Sequence, residues 1–169
     1  AGLAGLACGQ DVTNPGDAVT GFGGNWPGGE APEFVIDNTG ASKYLNFGEI
    51  NTGFVVTPSG SGIVRGIAIV TANDAPDRDP TSYIVEGSDN GIDFTLIAQG
   101  PIVPSTFRFT STQVLFSNNT EYAQYRVTFP TVRNPVGANS MQVGEVQLLR
   151  SGNVLTPGDC TAGIAGLEP

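Results

Sequence analysis

The fold of this chain is decided by the stretch Thr71-Ala-Asn-Asp-Ala-Pro-Asp-Arg-Asp-Pro-Thr-Ser-Tyr-Ile-Val-Glu-Gly-Ser-Asp-Asn-Gly91. A charged, proline-bounded loop stands there between two apolar segments, and a turn follows. Upstream, residues 63–70 are β-branched and apolar on both faces, which is typical of an inner strand of a sandwich. Residues 82–87 and 94–98 flank the turn Asp89-Asn90-Gly91, which favours a β-hairpin. The charged side chains of this stretch are therefore predicted to lie on an exposed loop between two strands.

Length and composition indicate one domain. With 169 residues and a mass of 17.4 kDa, the chain can form one compact core but is too short for two domains of ordinary size. Its 24 glycines and 12 prolines fit many short strands joined by tight turns, and no window shows a helical period. The sequence predicts a single all-β domain.

The charge balance is strongly acidic. Sixteen acidic residues against seven basic ones give a formal net charge of −9. Such a field repels nucleic acid and anionic lipid, and Lys43 is the only lysine, so the sequence has no basic patch. No stretch approaches the roughly 20 apolar residues that a membrane span needs. We expect no nucleic-acid partner and no insertion into a membrane.

The residue types also argue against catalysis. The chain has no histidine, which excludes a Ser-His-Asp or Cys-His arrangement and a zinc ion bound by histidine. A glycosidase needs only two carboxylates across a cleft, but no pair of acids here has a recognisable context. We expect the protein not to be an enzyme.

Four segments in order resemble the discoidin, or coagulation-factor type C, family of galactose-binding-like domains. They are residues 11–17, 35–44, 71–91 and 141–149, and the resemblance extends over about residues 11–150. It implies an all-β, jelly-roll-like antiparallel sandwich whose ligands bind to loops at one end. The chain departs from the family at Tyr44, where tryptophan is frequent, and its loops carry fewer aromatic residues than those of glycan-binding members.

A calcium site is predicted between two of these segments. Residues 37–42 offer carboxylate, amide, hydroxyl and carbonyl oxygens, the donors that calcium accepts. In residues 141–149 the apolar phase slips by one position around Gly144, and a β-bulge there would turn Glu145 towards that loop. The resemblance implies a structural calcium ion held by Asp37, Ser42 and Glu145. The alternative is an Asx-turn closed by Asp37 beside an ordinary glutamate at the rim.

Two readings are open for the charged loop. Arg78 has three acids within five positions, which favours an internal ion-pair network. In the functional reading, Asn73, Asp74 and Arg78 hydrogen-bond the hydroxyl groups of a sugar, although no stacking ring stands beside them in the sequence. Trp26, the only tryptophan, either stacks on such a ligand or plugs the end of the sandwich.

The two cysteines stand at opposite ends of the chain. The first and last strands of a jelly-roll-like sandwich are neighbours, so a disulfide between Cys8 and Cys160 is reasonable, although two free buried thiols remain the alternative. Closing so long a loop contributes about 5 kcal/mol at most. The bridge would favour an oxidising compartment, and the missing initiator methionine suggests a secreted chain whose signal peptide is already removed.

The terminal segments are near copies of each other. Residues 1–7 and 162–167 repeat alanine and glycine with Leu3, Leu6, Ile164 and Leu167 at similar spacing, and they match nothing in the family pattern. We divide the chain into an N-terminal connector (1–9), the sandwich (10–160) and a C-terminal connector (161–169).

The first functional hypothesis is a structural subunit that assembles with copies of itself into an extracellular filament or surface layer through these connectors. The alternative is a calcium-stabilised lectin or adhesion module that binds a glycan. The alternative for the terminal segments themselves is that they are disordered linkers, as chain ends usually are.

Overall fold

A computed structural model describes residues 10–150 of the protein. This part of the chain is built almost entirely from short strands, with two single-turn 3₁₀ helices at Pro32–Val35 and Pro76–Arg78. The predicted all-β class is confirmed. The strands are β1 (Gln10–Asp11), β2 (Ala18–Phe22), β3 (Tyr44–Asn46), β4 (Thr52–Thr57), β5 (Val64–Val70), β6 (Ser82–Ser88), β7 (Thr95–Pro101), β8 (Ser111–Leu115), β9 (Gln124–Phe129), β10 (Met141–Val143) and β11 (Glu145–Arg150).

The strands form an antiparallel sandwich. One sheet has the order β2-β4-β9-β6-β7, the other has the order β1-β11-β5-β8, and β10 pairs with β3 in a small third sheet. Side chains from both large sheets meet in one core, whose largest fully buried members include Tyr44, Phe54, Ile67, Tyr125, Phe129 and Leu148. The tyrosine at the position where the resemblance expects tryptophan is therefore a core residue.

The two elements predicted around the charged loop are present. β5 lies between β11 and β8, and six of its seven residues are buried, as expected for an inner strand. β6 and β7 form the predicted hairpin, in which Gly91 adopts a φ of 72°. The side-chain oxygen of Asn90 accepts hydrogen bonds from the backbone N–H groups of Ile92 and Asp93, at 2.9 and 2.8 Å, and so fixes the turn.

The predicted phase slip at Gly144 marks a change of sheet. β10 pairs with β3, whereas β11 pairs with β5, and Gly144 is the residue between them. Its N–H donates to the carbonyl of Val70 at 2.9 Å. The slip therefore places Glu145 at the start of β11 with its side chain fully buried.

Three connections meet at one end of the sandwich, which we call the loop pole: residues 71–81, 102–110 and 130–140. Backbone hydrogen bonds join them, from the N–H of Thr71 to the carbonyl of Thr110 (3.1 Å) and from the N–H of Ile102 to the carbonyl of Thr81 (2.9 Å). Residues 80 and 132 also form an isolated bridge. These contacts make the three loops one surface.

The two ends of the described chain emerge at the opposite pole. β11 starts beside Val70 at the loop pole and runs to Arg150, which pairs with Gln10 of β1. The first and last strands are thus neighbours, as the jelly-roll prediction requires. No helix in residues 10–150 is long and apolar enough to cross a membrane.

Candidate functional site

A buried carboxylate lies at the centre of the loop pole. Asp79, in the first loop, is only 1% exposed. Its two oxygens accept hydrogen bonds from Nη1 (2.9 Å) and Nη2 (2.6 Å) of Arg108, in the second loop. Nη2 of Arg133, in the third loop, lies 3.4 Å from Asp79 Oδ2. One acid therefore connects all three loops.

The ion-pair network predicted within the charged loop around Arg78 is not what forms, because the acids of this loop pair with cations from other segments. Arg108 and Arg133 neutralise Asp79, and Lys43 pairs with Asp74 at 2.8 Å. The guanidinium of Arg78 makes no hydrogen bond or salt bridge to any residue in the described range, and the side chain is half-buried. Arg78 is therefore free to donate to a ligand.

The other predicted ligand residues line the same loop. Asn73 is exposed, and the side chain of Asp74 is 53% exposed. The hydrogen bond from Lys43 lowers the pKa of Asp74, so this carboxylate is ionised. It can accept hydrogen bonds from a ligand while it keeps its contact with Lys43.

An aromatic ring that sequence reasoning missed stands on the second loop. Phe107 is 77% exposed, and its carbonyl accepts a hydrogen bond from Oγ1 of Thr71 at 2.9 Å. Val103 and Val136 are also strongly exposed on the loop pole. The aromatic and polar residues at 105–111 could have indicated a ligand-binding loop. They lie far from Arg78 in the sequence, so only the folded chain shows that they share a surface with it.

Trp26 packs as a plug. Its ring meets Tyr44 edge to face with centroids 6.1 Å apart, and it packs against the hydrophobic core. The indole is half-buried in this position. This geometry matches the structural reading of Trp26, because the ring contributes to packing at the end of the sandwich.

The three predicted metal ligands converge. Oγ of Ser42 donates to Asp37 Oδ2 at 2.5 Å, and the N–H of Asn38 donates to Glu145 Oε2 at 3.2 Å. The other oxygen of Glu145, Oε1, is buried and has no hydrogen-bond partner. The predicted orientation of Glu145 towards the Asp37 loop is therefore present.

A third acid that was not predicted, Asp11, lies close to this pair. Burial is the main cause that raises the pKa of Glu145 to about 9, and the charges of Asp37 and Asp11 add to it. Burial also raises the pKa of Asp11 to about 6, and its Oδ2 has no partner. Both shifts favour the protonated, neutral form of these carboxyl groups, as expected for buried acids that lie close together.

The donor set fits calcium better than a transition metal. Within residues 10–150, no group of three or more histidine, cysteine, aspartate or glutamate side chains is arranged to hold a metal ion. A site here would rest on two carboxylates with hydroxyl and backbone oxygens, a mixture that calcium accepts. Glu145 Oε1 and Asp11 Oδ2 are the carboxylate oxygens of the described chain that are buried without a hydrogen-bond partner.

Several predictions fall outside the described residues. These are the disulfide between Cys8 and Cys160 and the assembly residues Leu3, Leu6, Ile164 and Leu167. What the structure does show is that Gln10 and Arg150, the first and last described residues, are paired neighbours.

No family model matches this chain, and no curated protein matches it in sequence. The fold, however, is shared with many solved structures. One is a family 32 carbohydrate-binding module from Clostridium perfringens in complex with GalNAc-β-1,3-galactose, with a TM-score of 0.65 and 16% identity over 79% of this chain and 94% of that one.

Two further solved structures are similar. The family 32 module of NanJ from Clostridium perfringens, in complex with galactose, has a TM-score of 0.62 and 16% identity over 78% of this chain and 92% of that one. The family 32 module of EndoD from Streptococcus pneumoniae has a TM-score of 0.65 and 12% identity over 83% and 99%. Such modules have the discoidin-type, galactose-binding-like sandwich, so the predicted fold resemblance is confirmed.

Proposed function

We propose that this protein is a non-catalytic carbohydrate-binding module that holds a glycan on the loop pole. The observation that carries the proposal is the exposed ring of Phe107 on the same surface as the free guanidinium of Arg78. The similar modules in complex with galactose and with GalNAc-β-1,3-galactose support this reading over the assembly hypothesis.

The residues match the two kinds of surface that a sugar presents. A pyranose has an apolar face of C–H groups, on which an exposed ring such as Phe107 can stack. Its hydroxyl groups accept hydrogen bonds from Arg78 and Asn73 and donate to the carboxylate of Asp74. Stacking supplies the contact area, and the polar groups fix the orientation of the sugar.

The charge of the protein selects for neutral ligands. A net charge of −9 repels an anionic glycan at long range, whereas a neutral sugar is unaffected. Of the four cations near the loop pole, Arg108 and Arg133 are neutralised by Asp79, and Lys43 is neutralised by Asp74. Only Arg78 is left to attract an anionic ligand. We therefore expect a neutral hexose or N-acetylhexosamine at the site.

A glycan array tests the proposal. The purified protein, presented in a multivalent format, should bind at least one neutral glycan, because single domains of this size bind weakly. Phe107→Ala and Arg78→Ala should each reduce binding while the protein stays folded. Ile92→Ala is the matched control, since Ile92 is 81% exposed at the hairpin turn far from the loop pole. Silence across a broad array would count against the proposal.

We also propose that Asp37, Ser42 and Glu145 hold a structural calcium ion. The ion would supply the positive charge that these buried oxygens lack, and Asp11 adds to that demand. The orphaned Oε1 of Glu145 supports the proposal, because a buried oxygen without a partner destabilises the fold. The calcium ion would therefore stabilise the protein and would not contact the glycan.

Self-assembly is a second candidate function. Both candidate functions would place the protein outside the cell. One observation favours keeping self-assembly: the described residues begin and end, at Gln10 and Arg150, on the pole opposite the loops. Connectors at residues 1–9 and 161–169 would then act without blocking the glycan surface. The assembly itself, like the disulfide, stays a prediction.

A further inference from the structure

We propose that Asp79 is a positioning residue that holds the three loops of the loop pole in the geometry that binds glycan. The proposal rests on the proposed function and deepens it. Asp79 itself is 1% exposed and cannot touch a ligand, so it acts through its neighbours.

The contacts of Asp79 reach every loop of this surface. Arg108 binds both of its oxygens, and Arg133 approaches one of them from the third loop. The backbone is tied as well, since the N–H of Arg133 donates to the carbonyl of Asp79 at 2.9 Å. A bidentate carboxylate–guanidinium pair fixes orientation as well as distance.

The two guanidinium groups extend the network to the backbone. Arg108 donates to the carbonyls of Asp74 (3.1 Å) and Ser105 (3.2 Å). Arg133 donates to the carbonyls of Pro76 (3.1 Å), Pro104 (2.8 Å) and Ser105 (3.1 Å). These loops have little regular secondary structure, so such side-chain bonds replace the missing strand pairing.

The positioned side chains are the proposed ligand contacts. Arg78 directly precedes Asp79 in the chain, and Phe107 directly precedes Arg108. Fixing Asp79 and Arg108 therefore fixes the backbone from which the ligand donor and the stacking ring project. A loop that is ordered before the ligand arrives loses less conformational freedom on binding, which raises affinity.

Charge explains why the acid is needed. Asp79 is the only carboxylate within salt-bridge distance of Arg108 or Arg133 in the described chain. Without it, two largely desolvated guanidinium groups would face each other, and the loops would move apart to expose them to water. The amide of Asp79→Asn has the same shape but cannot neutralise either cation.

The experiment compares Asp79→Asn with a matched control, Glu86→Gln. Glu86 forms the same kind of bidentate pair, with Arg126 at 2.5 and 2.8 Å, on strands β6 and β9 and away from the loops. Each variant of the full-length protein is tested for binding to the glycan that the wild-type protein selects from an array. Hydrogen exchange is measured in residues 71–81, 102–110 and 130–140.

We expect Asp79→Asn to fold but to lose at least about tenfold in affinity, with faster exchange in all three loops. Glu86→Gln should keep its affinity. If Asp79→Asn does not fold, Arg108→Lys serves instead, because lysine keeps the charge but cannot form the bidentate pair.

Unchanged affinity in a folded Asp79→Asn protein would overturn the proposal. If Asp79 contributed to overall stability alone, Asp79→Asn would melt at a lower temperature but keep its affinity per folded molecule and its slow exchange in the three loops. Failure of the wild-type protein to bind any glycan would instead overturn the proposed function, and exchange in the three loops would then decide whether Asp79 orders them.

Discussion

Glu145 makes the stability of the protein depend on pH. Its pKa in the folded protein is about 9, against an ordinary value of 4.5, so the folded state keeps a proton that the unfolded state releases. The resulting stabilisation is complete below the ordinary pKa and is lost as the pH rises through the folded value. Asp11 acts in the same direction, because its pKa is raised from the ordinary value of 3.8 to about 6 and its stabilising effect is lost as the pH rises through that range.

In chelator, the melting temperature should therefore fall as the pH is raised from 5 to 9. Calcium should remove much of this fall, because it replaces the proton as the partner of the carboxylates. At a calcium concentration a hundredfold above its dissociation constant, the free energy of unfolding should rise by about 2.7 kcal/mol.

The Asp37→Ala variant should lose this response to calcium, whereas Glu33→Ala, which removes an exposed acid, should keep it. Melting curves at pH 5 and pH 8, with and without calcium, make the comparison. Identical curves in calcium and chelator would exclude the metal.

The sequence allowed some functional residues to be predicted and concealed others. Asp37 and Ser42 share one short loop, and the phase of the closing strand pointed to Glu145. Arg108 and Arg133, in contrast, lie 29 and 54 positions from Asp79, so only the folded chain shows that they are its partners. Nearness in sequence suggested Arg78 instead.

At the scale of the elements, β4 depends on a glycine. Gly53 pairs with Phe22 of β2 and with Thr128 of β9, in the middle of three adjacent strands. A Cβ at this position would collide with the backbone oxygen of Val127 and would lie 2.9 Å from Cζ of Phe22. A backbone atom held in a sheet cannot move aside without breaking the ladder.

Gly53→Ala should lower the free energy of unfolding by at least about 1–3 kcal/mol. Gly28→Ala is the matched control, since no atom lies within 4 Å of a Cβ there, and its effect should stay within about 0.5 kcal/mol. Urea denaturation of both variants measures the difference. If Gly53→Ala and Gly28→Ala were equally stable, β2 or β9 would be able to move aside for the added methyl group, and the prediction would be wrong.

Element types were predictable because their signals are local, but sheet membership was not. The apolar run of β5 and the turn at Gly91 both identify their elements from a few neighbouring residues. The change of phase at Gly144 predicted a bulge, yet residues on its two sides belong to different sheets. Which partner each half takes depends on β3 and β5, far away in the chain.

The whole molecule separates its two candidate surfaces. The loop pole carries Phe107 and Arg78, and the opposite pole carries the paired ends Gln10 and Arg150. If a glycan binds to the loop pole and a partner binds near Gln10 and Arg150, we expect the two not to compete. If the ends attach the protein to its copies, every copy in the assembly can still present its loops.

Removal of the terminal segments tests this separation. Deleting residues 1–7 and 162–169 leaves the described sandwich and both cysteines, so the protein should remain folded and bind glycan as before. It should no longer assemble, because Leu3, Leu6, Ile164 and Leu167 would each contribute about 1.5–3 kcal/mol if fully buried in a neighbouring copy. Light scattering at high concentration compares the shortened and full-length proteins. A full-length protein that stays monomeric would end the assembly hypothesis without affecting the glycan site, whereas loss of glycan binding in the shortened protein would show that the two poles are not independent.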